Sequence, residues 1–444
     1  MSDIPRPLVE PPRDWRFPVP VERTLRNGLN VLAFQRDGQH IAAAELVLDL
    51  PLTAEPAGVE GVATIAGRCL TEGTTSLPGS EFAAKVENLG AAIDGSAGLS
   101  ATHVTLDVPA ARLADGLVLL AQAVVEPELA EGDVERHQAI RLAEIDQTLA
   151  NSDHRAALAF RAACVPERFR ASRPAGGLAE SVGAITRADV VALHNRYRPD
   201  GATLVLAGDF VGNPLDDAPT AFDGWTTASD AVAVHESPYG QAPRCVLIHR
   251  PGAVQADVRL GAFGLDRADP AYTDLAVACH ALGGSFLSRL NRELREECGF
   301  TYGVHLVNHP MRTGGLLAVQ GSFRTDVLVE ALDRARRILD VATQPVTPDE
   351  VAKAVSNARG IAPLRYSTAE GLAGGVAALV AAGLDHRYVD AQADALRRVT
   401  PDSATGVITR LLRPEALTLV VVGDADALAD PLTSSGWPLS VELS

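Results

Sequence analysis

The chain has 444 residues, of which 47% are hydrophobic and only 5% are aromatic. A chain of this length and composition can bury large cores and is expected to form two to four globular domains. Its 39 basic and 56 acidic residues give a net charge of −17. This charge argues against binding to nucleic acid or to an anionic membrane surface, and it favours a cationic peptide as a partner.

The cysteines and the N-terminus indicate a cytoplasmic protein. The five cysteines are scattered, and none has the C-x-x-C spacing of a zinc ribbon or a redox site. Their odd number and spacing argue against a disulfide framework. The N-terminal stretch MSDIPRPLVEPPRDWRFPVP lacks the basic start and apolar core of a signal peptide, and no apolar run is long enough to predict a membrane span.

Taken in chain order, the first half changes from strands to helices and back. GLNVLAF and HIAAAELVLDL predict strands, and VEGVATIAGRCLTEG and GSEFAAKVENLG predict helices. AAIDGSAGLSATHVTLDVP predicts a pair of strands, and AARLADGLVLLAQAVV and EGDVERHQAIRLAEIDQTLAN predict two more helices. This order indicates an α+β sandwich with a mainly antiparallel sheet flanked by helices.

The second half of the chain repeats the first. AITRADVVALHNRYRPDGATLVLAGDF and RVTPDSATGVITRLLRPEALTLVVVGDA align so that Arg198 corresponds to Arg413 and Gly208 to Gly423, both with an offset of 215 positions. An offset this long indicates a duplicated domain and not a solenoid. The stretch GNPLDDAPTAFDGWTTASD lacks periodicity and predicts the joint. The predicted parts are an N-terminal domain at 1–220, a linker at 221–242 and a C-terminal domain at 243–444.

One helix carries a resemblance to a known family. GVATIAGRCLTEGT resembles the zinc-site helix of peptidase family M16, the pitrilysin and insulinase family that includes mitochondrial processing peptidase. Active members have an inverted H-x-x-E-H on this helix, followed by Gly-Thr, like Gly73 and Thr74 here. This register places Thr64, Gly67 and Arg68 at the His, Glu and His positions. Arginine stays protonated and cannot ligate zinc, and glycine offers no base.

The helix RLAEIDQTLA resembles the second ligand helix of the family. Glu144 falls 76 residues after Arg68, within the spacing that the family uses for its third zinc ligand. We expect Arg68 to occupy the vacated metal position and to pair with Glu144. The alternative is that Glu144 lies on a solvated helix face. We attribute His137, on the same helix, to an exposed polar face.

The second half carries the matching signature. LGGSFLSRLNRELREECGFTYGVH is similar to the C-terminal signature of the family, and it places Arg295 and Tyr302 at the Arg/Tyr pair that holds the substrate near the scissile bond. The alternatives are an ordinary charged helix face for Arg295 and a core aromatic for Tyr302. His305 and His309 are four residues apart in a predicted strand, so we assign them no metal.

The resemblance implies a zinc-free subunit of a heteromeric peptidase. A homologous partner with an intact H-x-x-E-H motif would contain the zinc, and this chain, with no cofactor of its own, would bind short or unfolded peptides through Arg295 and Tyr302. One alternative is a non-enzymatic scaffold or peptide-binding protein, like the core proteins of respiratory complexes. A self-sufficient peptidase would need a displaced set of zinc ligands.

Overall fold

Two six-stranded sheets form the framework. The computed structural model describes residues 12–226 and 234–442, and the strands of these residues assemble into the two sheets. The strands are β1 Val21–Thr24, β2 Asn30–Gln35, β3 Ile41–Leu48, β4 Ala92–Ala97, β5 Thr102–Pro109, β6 Thr203–Gly208, β7 Cys245–His249, β8 Gln255–Gly264, β9 Val304–Pro310, β10 Gly315–Arg324, β11 Thr418–Gly423 and β12 Leu439–Glu442. Their order is β1-β2-β6-β3-β5-β4 in the first sheet and β12-β7-β11-β8-β10-β9 in the second.

The two sheets share one pairing plan. In the first sheet β6 runs parallel to β2 and antiparallel to β3, and in the second β11 runs parallel to β7 and antiparallel to β8. The sheets differ at one edge, where β1 pairs antiparallel with β2 but β12 pairs parallel with β7. The predicted α+β fold with two similar, mainly antiparallel sheets is confirmed.

The repeat extends to individual hydrogen bonds. After β6, the carboxylate of Asp209 accepts a hydrogen bond from the backbone N–H of Gly38 at 2.8 Å. After β11, the carboxylate of Asp424 accepts one from the N–H of Gly252 at 3.1 Å. Both glycines have left-handed φ angles, 79° and 69°, which side chains disfavour. The same tight turn therefore recurs in both halves.

Helices cover both faces of each sheet. The α-helices are α1 Val62–Cys69, α2 Ser80–Leu89, α3 Leu113–Val125, α4 Glu131–Ala150, α5 Ser152–Cys164, α6 Ala179–Gly183, α7 Arg187–His194, α8 Pro214–Phe222, α9 Tyr272–Cys279, α10 Leu328–Leu339, α11 Pro348–Arg365, α12 Ala369–Ala381, α13 Tyr388–Leu396, α14 Pro401–Leu411 and α15 Ala425–Ser434. Two π-helical segments, His280–Gly284 and Asn291–Glu297, follow α9. No helix in the described ranges is long and apolar enough to cross a bilayer.

Each half donates one helix to the sheet of the other half. Phe160 of α5 packs in a buried cluster with Val420 of β11, so α5 covers the second sheet. Leu372 of α12 packs with Val205 of β6, so α12 covers the first sheet. Since the remaining cores contain mainly helices of the same half, the exchange interlocks the two halves.

The predicted joint contains a helix that the sequence reading missed. Helix α8 lies within the stretch that was expected to lack structure, and Leu215, Ala218 and Phe222 enter the core of the first half. Their spacing is that of one helical face. Part of the predicted 221–242 linker, residues 227–233, lies outside the described residues, and the domain limits stay a prediction.

Candidate functional site

Helix α1 presents the three positions of the degenerate motif. It begins after Gly61, whose φ is 103° and where a Cβ would lie 2.8 Å from the carbonyl oxygen of Gly176. Only glycine fits this turn without displacing the backbone around Gly176. Thr64 and Arg68 are half-buried on the helix, whereas Gly67 is buried.

Gly67 is closed off by a second glycine. A Cβ at position 67 would lie 3.1 Å from the carbonyl carbon and oxygen of Gly95 in β4, and a Cβ at position 95 would lie 2.8 Å from the carbonyl carbon of Gly67. Both distances are shorter than ordinary contacts, so α1 and β4 approach through this glycine pair. A side chain at the position of the family's glutamate base would therefore press against the backbone of β4.

Arg68 and Glu144 form the expected pair. Nη2 of Arg68 donates hydrogen bonds to both oxygens of Glu144, each at 3.0 Å. Nη1 of Arg141 donates to Oε2 of the same carboxylate at 3.0 Å, and its Nε donates to the carbonyl of Gly176 at 2.9 Å. One nitrogen of Arg68 makes both contacts, so the geometry is not the parallel two-nitrogen fork.

The charges around Glu144 favour its ionised form. Partial burial acts to raise the pKa of the carboxyl, but the hydrogen bonds from Arg68 and Arg141 outweigh it, and the pKa of Glu144 is lower than usual. The side chain of Glu144 is 36% exposed. It is nevertheless not a freely solvated residue on a helix face, because the guanidinium groups of Arg68 and Arg141 hydrogen-bond its carboxylate.

These residues do not fit a zinc ion. Zinc sites in proteins use thiolate, imidazole and carboxylate ligands. Of the four positions only Glu144 offers such a group, and its oxygens are already hydrogen-bonded to two cations. No hydrolytic step by this chain follows from Thr64, Gly67, Arg68 and Glu144.

His137 belongs to a second polar cluster and not to an exposed face, which corrects the expectation from sequence. Its side chain is 13% exposed, and Nε2 lies 2.7 Å from Oε1 of Glu72, just after α1. Arg136 contacts the other oxygen of Glu72 at 2.7 Å. Burial acts to raise the pKa of Glu72, but the hydrogen bonds from Arg136 and His137 lower it overall. This cluster joins α1 to α4 beside the Arg68 pair.

Arg295 and Tyr302 lie at the surface of the second half. The guanidinium carbon of Arg295 lies 3.9 Å from the ring centroid of Phe286, a cation–π contact, and Nη1 lies 3.4 Å from Oε1 of Glu296. Tyr302 is 94% exposed, so the alternative of a core aromatic is wrong. Within the described residues, no hydrogen bond or ion pair joins either side chain to Arg68 or Glu144.

Asn291 holds the segment that carries this signature, and the sequence reading missed it. Its Nδ2 donates to the carbonyls of Ser285 and Val304 at 3.1 and 2.8 Å, and its Oδ1 accepts from the N–H of Val304 at 3.1 Å. The side chain is only 3% exposed. Asn291 therefore fixes the chain just before Phe286 and just after Tyr302. Its signal in the sequence is an amide between Leu290 and Leu294, both of which are buried.

The histidines of β9 do not belong to any cluster of three possible metal ligands among the described residues. His305 and His309 are both exposed on β9. The described residues contain one group of three possible metal ligands, His249, Asp424 and Asp426, whose ligand atoms lie within 4.8 Å of one another. There, Nδ1 of His249 accepts from the N–H of Ala425, and Asp424 caps α15. These contacts account for the group as a helix cap.

Two sequence profiles match the chain. A profile described as "Insulinase (Peptidase family M16)" matches residues 31–168, and one described as "Peptidase M16 inactive domain" matches residues 184–358. The chain belongs to peptidase family M16. The first match contains the four degenerate positions, and the second contains Arg295 and Tyr302.

Named relatives of this M16 protein are described as zinc proteases. An uncharacterized zinc protease of Streptomyces coelicolor is 29% identical over 262 residues, which make up 56% of this chain and 56% of that protein. An uncharacterized zinc protease of Mycobacterium bovis is 26% identical over 349 residues, which make up 77% of this chain and 79% of that protein. The match with the Streptomyces protein thus spans little more than half the length of either chain.

Solved structures share the fold over nearly the whole M16 chain. A peptidase M16 inactive domain from Pseudomonas fluorescens has a TM-score of 0.81 at 22% identity, covering 91% of this chain and 98% of that one. A protease from Helicobacter pylori has a TM-score of 0.82 at 16% identity, and the match covers 92% of this chain and 100% of that one. A chain of complex III2 from Candida albicans has a TM-score of 0.79 at 11% identity, and the match covers 95% of this chain and 100% of that one. At these identities the similarity shows a shared fold.

Proposed function

We propose that this chain is the zinc-free subunit of a two-chain M16 peptidase. A homologous partner with an intact H-x-x-E-H motif supplies the zinc and the general base, and this chain binds and orients the peptide through Arg295 and Tyr302. The observation that carries the proposal is a contrast within one chain. Groups able to bind a peptide are held at the surface, whereas the positions of the zinc ligands hold Thr64, Gly67 and Arg68.

The surroundings of Arg295 and Tyr302 suit the binding of a peptide carbonyl. The stacking of Arg295 on Phe286 limits the motion of the guanidinium and leaves its N–H groups as donors. The hydroxyl of Tyr302 makes no hydrogen bond within the described residues, so it can donate to a substrate. Donors placed at a developing oxyanion stabilise it more than they stabilise the ground state. The two side chains therefore have the chemistry to hold a scissile carbonyl.

The charge of the chain supports a basic, unfolded peptide as substrate. A net charge of −17 attracts cationic segments at long range and raises their rate of encounter. A cytoplasmic location is part of the proposal, because all five cysteines are free and four of them are buried. The scaffold alternative rests on the shared fold alone.

The test is a reconstituted complex of this chain with a partner that carries the intact motif. Arg295→Ala is expected to lower kcat/KM about 100- to 1,000-fold, the loss typical for one oxyanion donor. Arg292→Ala is the matched control, since Arg292 is an exposed arginine in the same segment. Among the described residues its side chain donates only to the carbonyl of Leu287, at 3.3 Å. It is expected to keep activity within about twofold.

Assembly must be measured alongside activity. Size-exclusion chromatography should show that both variants still form the complex. If Arg295→Ala and Tyr302→Phe leave a fully assembled complex as active as the unsubstituted one, the substrate-binding role is wrong and the scaffold alternative gains the support.

A further inference from the structure

One cavity of the protein is lined by none of the residues of the Arg295 and Tyr302 segment. It has a volume of about 330 Å³ and is enclosed by the described N-terminal segment and by helices α9, α11 and α13. Arginines dominate its polar lining. They are Arg13, Arg267, Arg359, Arg365 and Arg397. No aspartate or glutamate of the described residues lines it, although acidic residues outnumber basic ones in the chain as a whole.

Aromatic rings form the wall of this cavity. Trp15 stacks on Tyr366 with ring centroids 5.9 Å apart and an interplanar angle of 5°. Tyr272 faces the guanidinium of Arg267, whose carbon lies 5.7 Å from the ring centroid. A Cβ at Gly375 would lie 2.5 Å from a ring carbon of Tyr366, so glycine there makes room for the ring. The wall offers flat surfaces on which a planar group can stack.

Two arginines of this cavity, Arg267 and Arg365, have no carboxylate partner within the described residues. By contrast, Arg359 and Arg397 share one carboxylate oxygen of Asp14, each at 2.9 Å, and Arg397 also donates to Asp394 at 2.7 Å. Arg267 donates to the hydroxyl of Tyr272, a neutral partner, at 3.3 Å. Arg365 makes no side-chain hydrogen bond or ion pair within the described residues. The charges of Arg267 and Arg365 thus lie in one cavity without a carboxylate of the described residues to balance them, an arrangement that an anion would stabilise.

We propose that this cavity binds a small aromatic anion, with a carboxylate or phosphate group on a planar ring system. Guanidinium groups bind both head groups through charge-assisted hydrogen bonds. The rings of Trp15, Tyr366 and Tyr272 bind the planar body, and the volume is that of a small-molecule site. The site is independent of peptide hydrolysis and does not rest on the proposed role of Arg295.

A ligand in this cavity would also connect the N-terminal segment with the second half of the chain. Trp15 belongs to the N-terminal segment, whereas Arg267 and Arg365 belong to the second half. A ligand that contacts all three stabilises the folded protein by mass action and raises its Tm. The cavity is thus a place where a metabolite can affect the stability of the interlocked halves.

The test is isothermal titration calorimetry of the full chain with 1-naphthyl phosphate and 1-naphthoate, with 1-naphthol and inorganic phosphate as partial ligands. We expect a Kd on the order of 10–100 μM for at least one aromatic anion, and binding at least about tenfold weaker for 1-naphthol and for phosphate. The anion that binds more tightly identifies the head group. Arg365→Gln and Arg267→Gln should each raise the Kd about tenfold.

The matched control is Arg26→Gln, which changes an exposed arginine of the first half outside the cavity. It is expected to leave the Kd unchanged. Arg365 is also exposed, so its variant tests the site even if Arg267→Gln folds poorly. Absence of binding by both anions at 1 mM overturns the proposal. Equal affinity for 1-naphthol or for phosphate, or an equal loss in Arg26→Gln, overturns it as well.

Discussion

The contact between Gly67 and Gly95 makes a quantitative prediction. In Gly95→Ala the new Cβ would overlap the carbonyl oxygen of Gly67, its nearest neighbour. It would also lie 2.8 Å from the carbonyl carbon of Gly67, about 0.6 Å inside an ordinary van der Waals contact of about 3.4 Å. Backbone atoms on both sides leave no flexible side chain to yield, so α1 must move away from β4. We expect a loss of about 3 kcal/mol in the free energy of unfolding, the upper end of the range for overpacked sites.

The reciprocal substitution should cost less. In Gly67→Ala the closest atoms are 3.1 Å away, and alanine gains about 1 kcal/mol of helix propensity, so the net loss is expected to be about 1 kcal/mol or less. Gly406→Ala is the control, because Gly406 lies in the middle of α14 with no atom within 4 Å of its Cβ position. It should stabilise the protein by about 0.5–1 kcal/mol.

Urea denaturation, monitored by tryptophan fluorescence, ranks the stabilities of these variants. The account predicts midpoints in the order Gly406→Ala, unsubstituted protein, Gly67→Ala and Gly95→Ala, from highest to lowest. A Gly95→Ala protein as stable as the unsubstituted one would refute the close approach of α1 and β4.

Three further predictions concern single residues. The pKa of Glu144 is lowered in the folded protein, so its contribution to stability is present above the unfolded pKa and is lost as pH falls through the folded pKa. Glu144→Gln should therefore cost about 0.5–1 kcal/mol at pH 7, and the urea midpoints of the two proteins should converge once the pH is below the folded pKa. Asn291→Ala should cost about 2 kcal/mol and speed hydrogen exchange at the N–H of Val304. Under native conditions only Cys298 should react with a thiol reagent, because burial raises the pKa of the other four cysteines to about 12, and Cys298→Ser should abolish labelling.

Parts of the fold follow from local pattern. The offset between Gly208 and Gly423 predicted two similar units, and the turns at Asp209 and Asp424 confirm it in detail. The exchange of α5 and α12 could not be predicted, because an apolar helix face does not specify which of two similar sheets it covers. Helix α8 was missed because its prolines and aspartates outweighed the spacing of its buried residues.

The candidate site, like the fold, could be predicted from the sequence only in part. The pairing of Arg68 with Glu144 followed from register and charge complementarity, and the structure adds Arg141 as a second cation. The closure of Gly67 by Gly95 depends on a strand about 28 positions away, so the sequence around α1 gives no sign of it. His137 was assigned to an exposed face because its contact with Glu72, just after α1, cannot be inferred from the sequence of α4 alone.

Peptide hydrolysis by three samples tests the central claim most directly: this chain alone, a homologous partner with the intact H-x-x-E-H motif alone, and an equimolar mixture of the two. With a quenched fluorogenic peptide library, the account predicts activity in the mixture only, and a fall of about 100-fold or more when the mixture contains Arg295→Ala. A partner that is equally active alone and in the mixture would contradict the account.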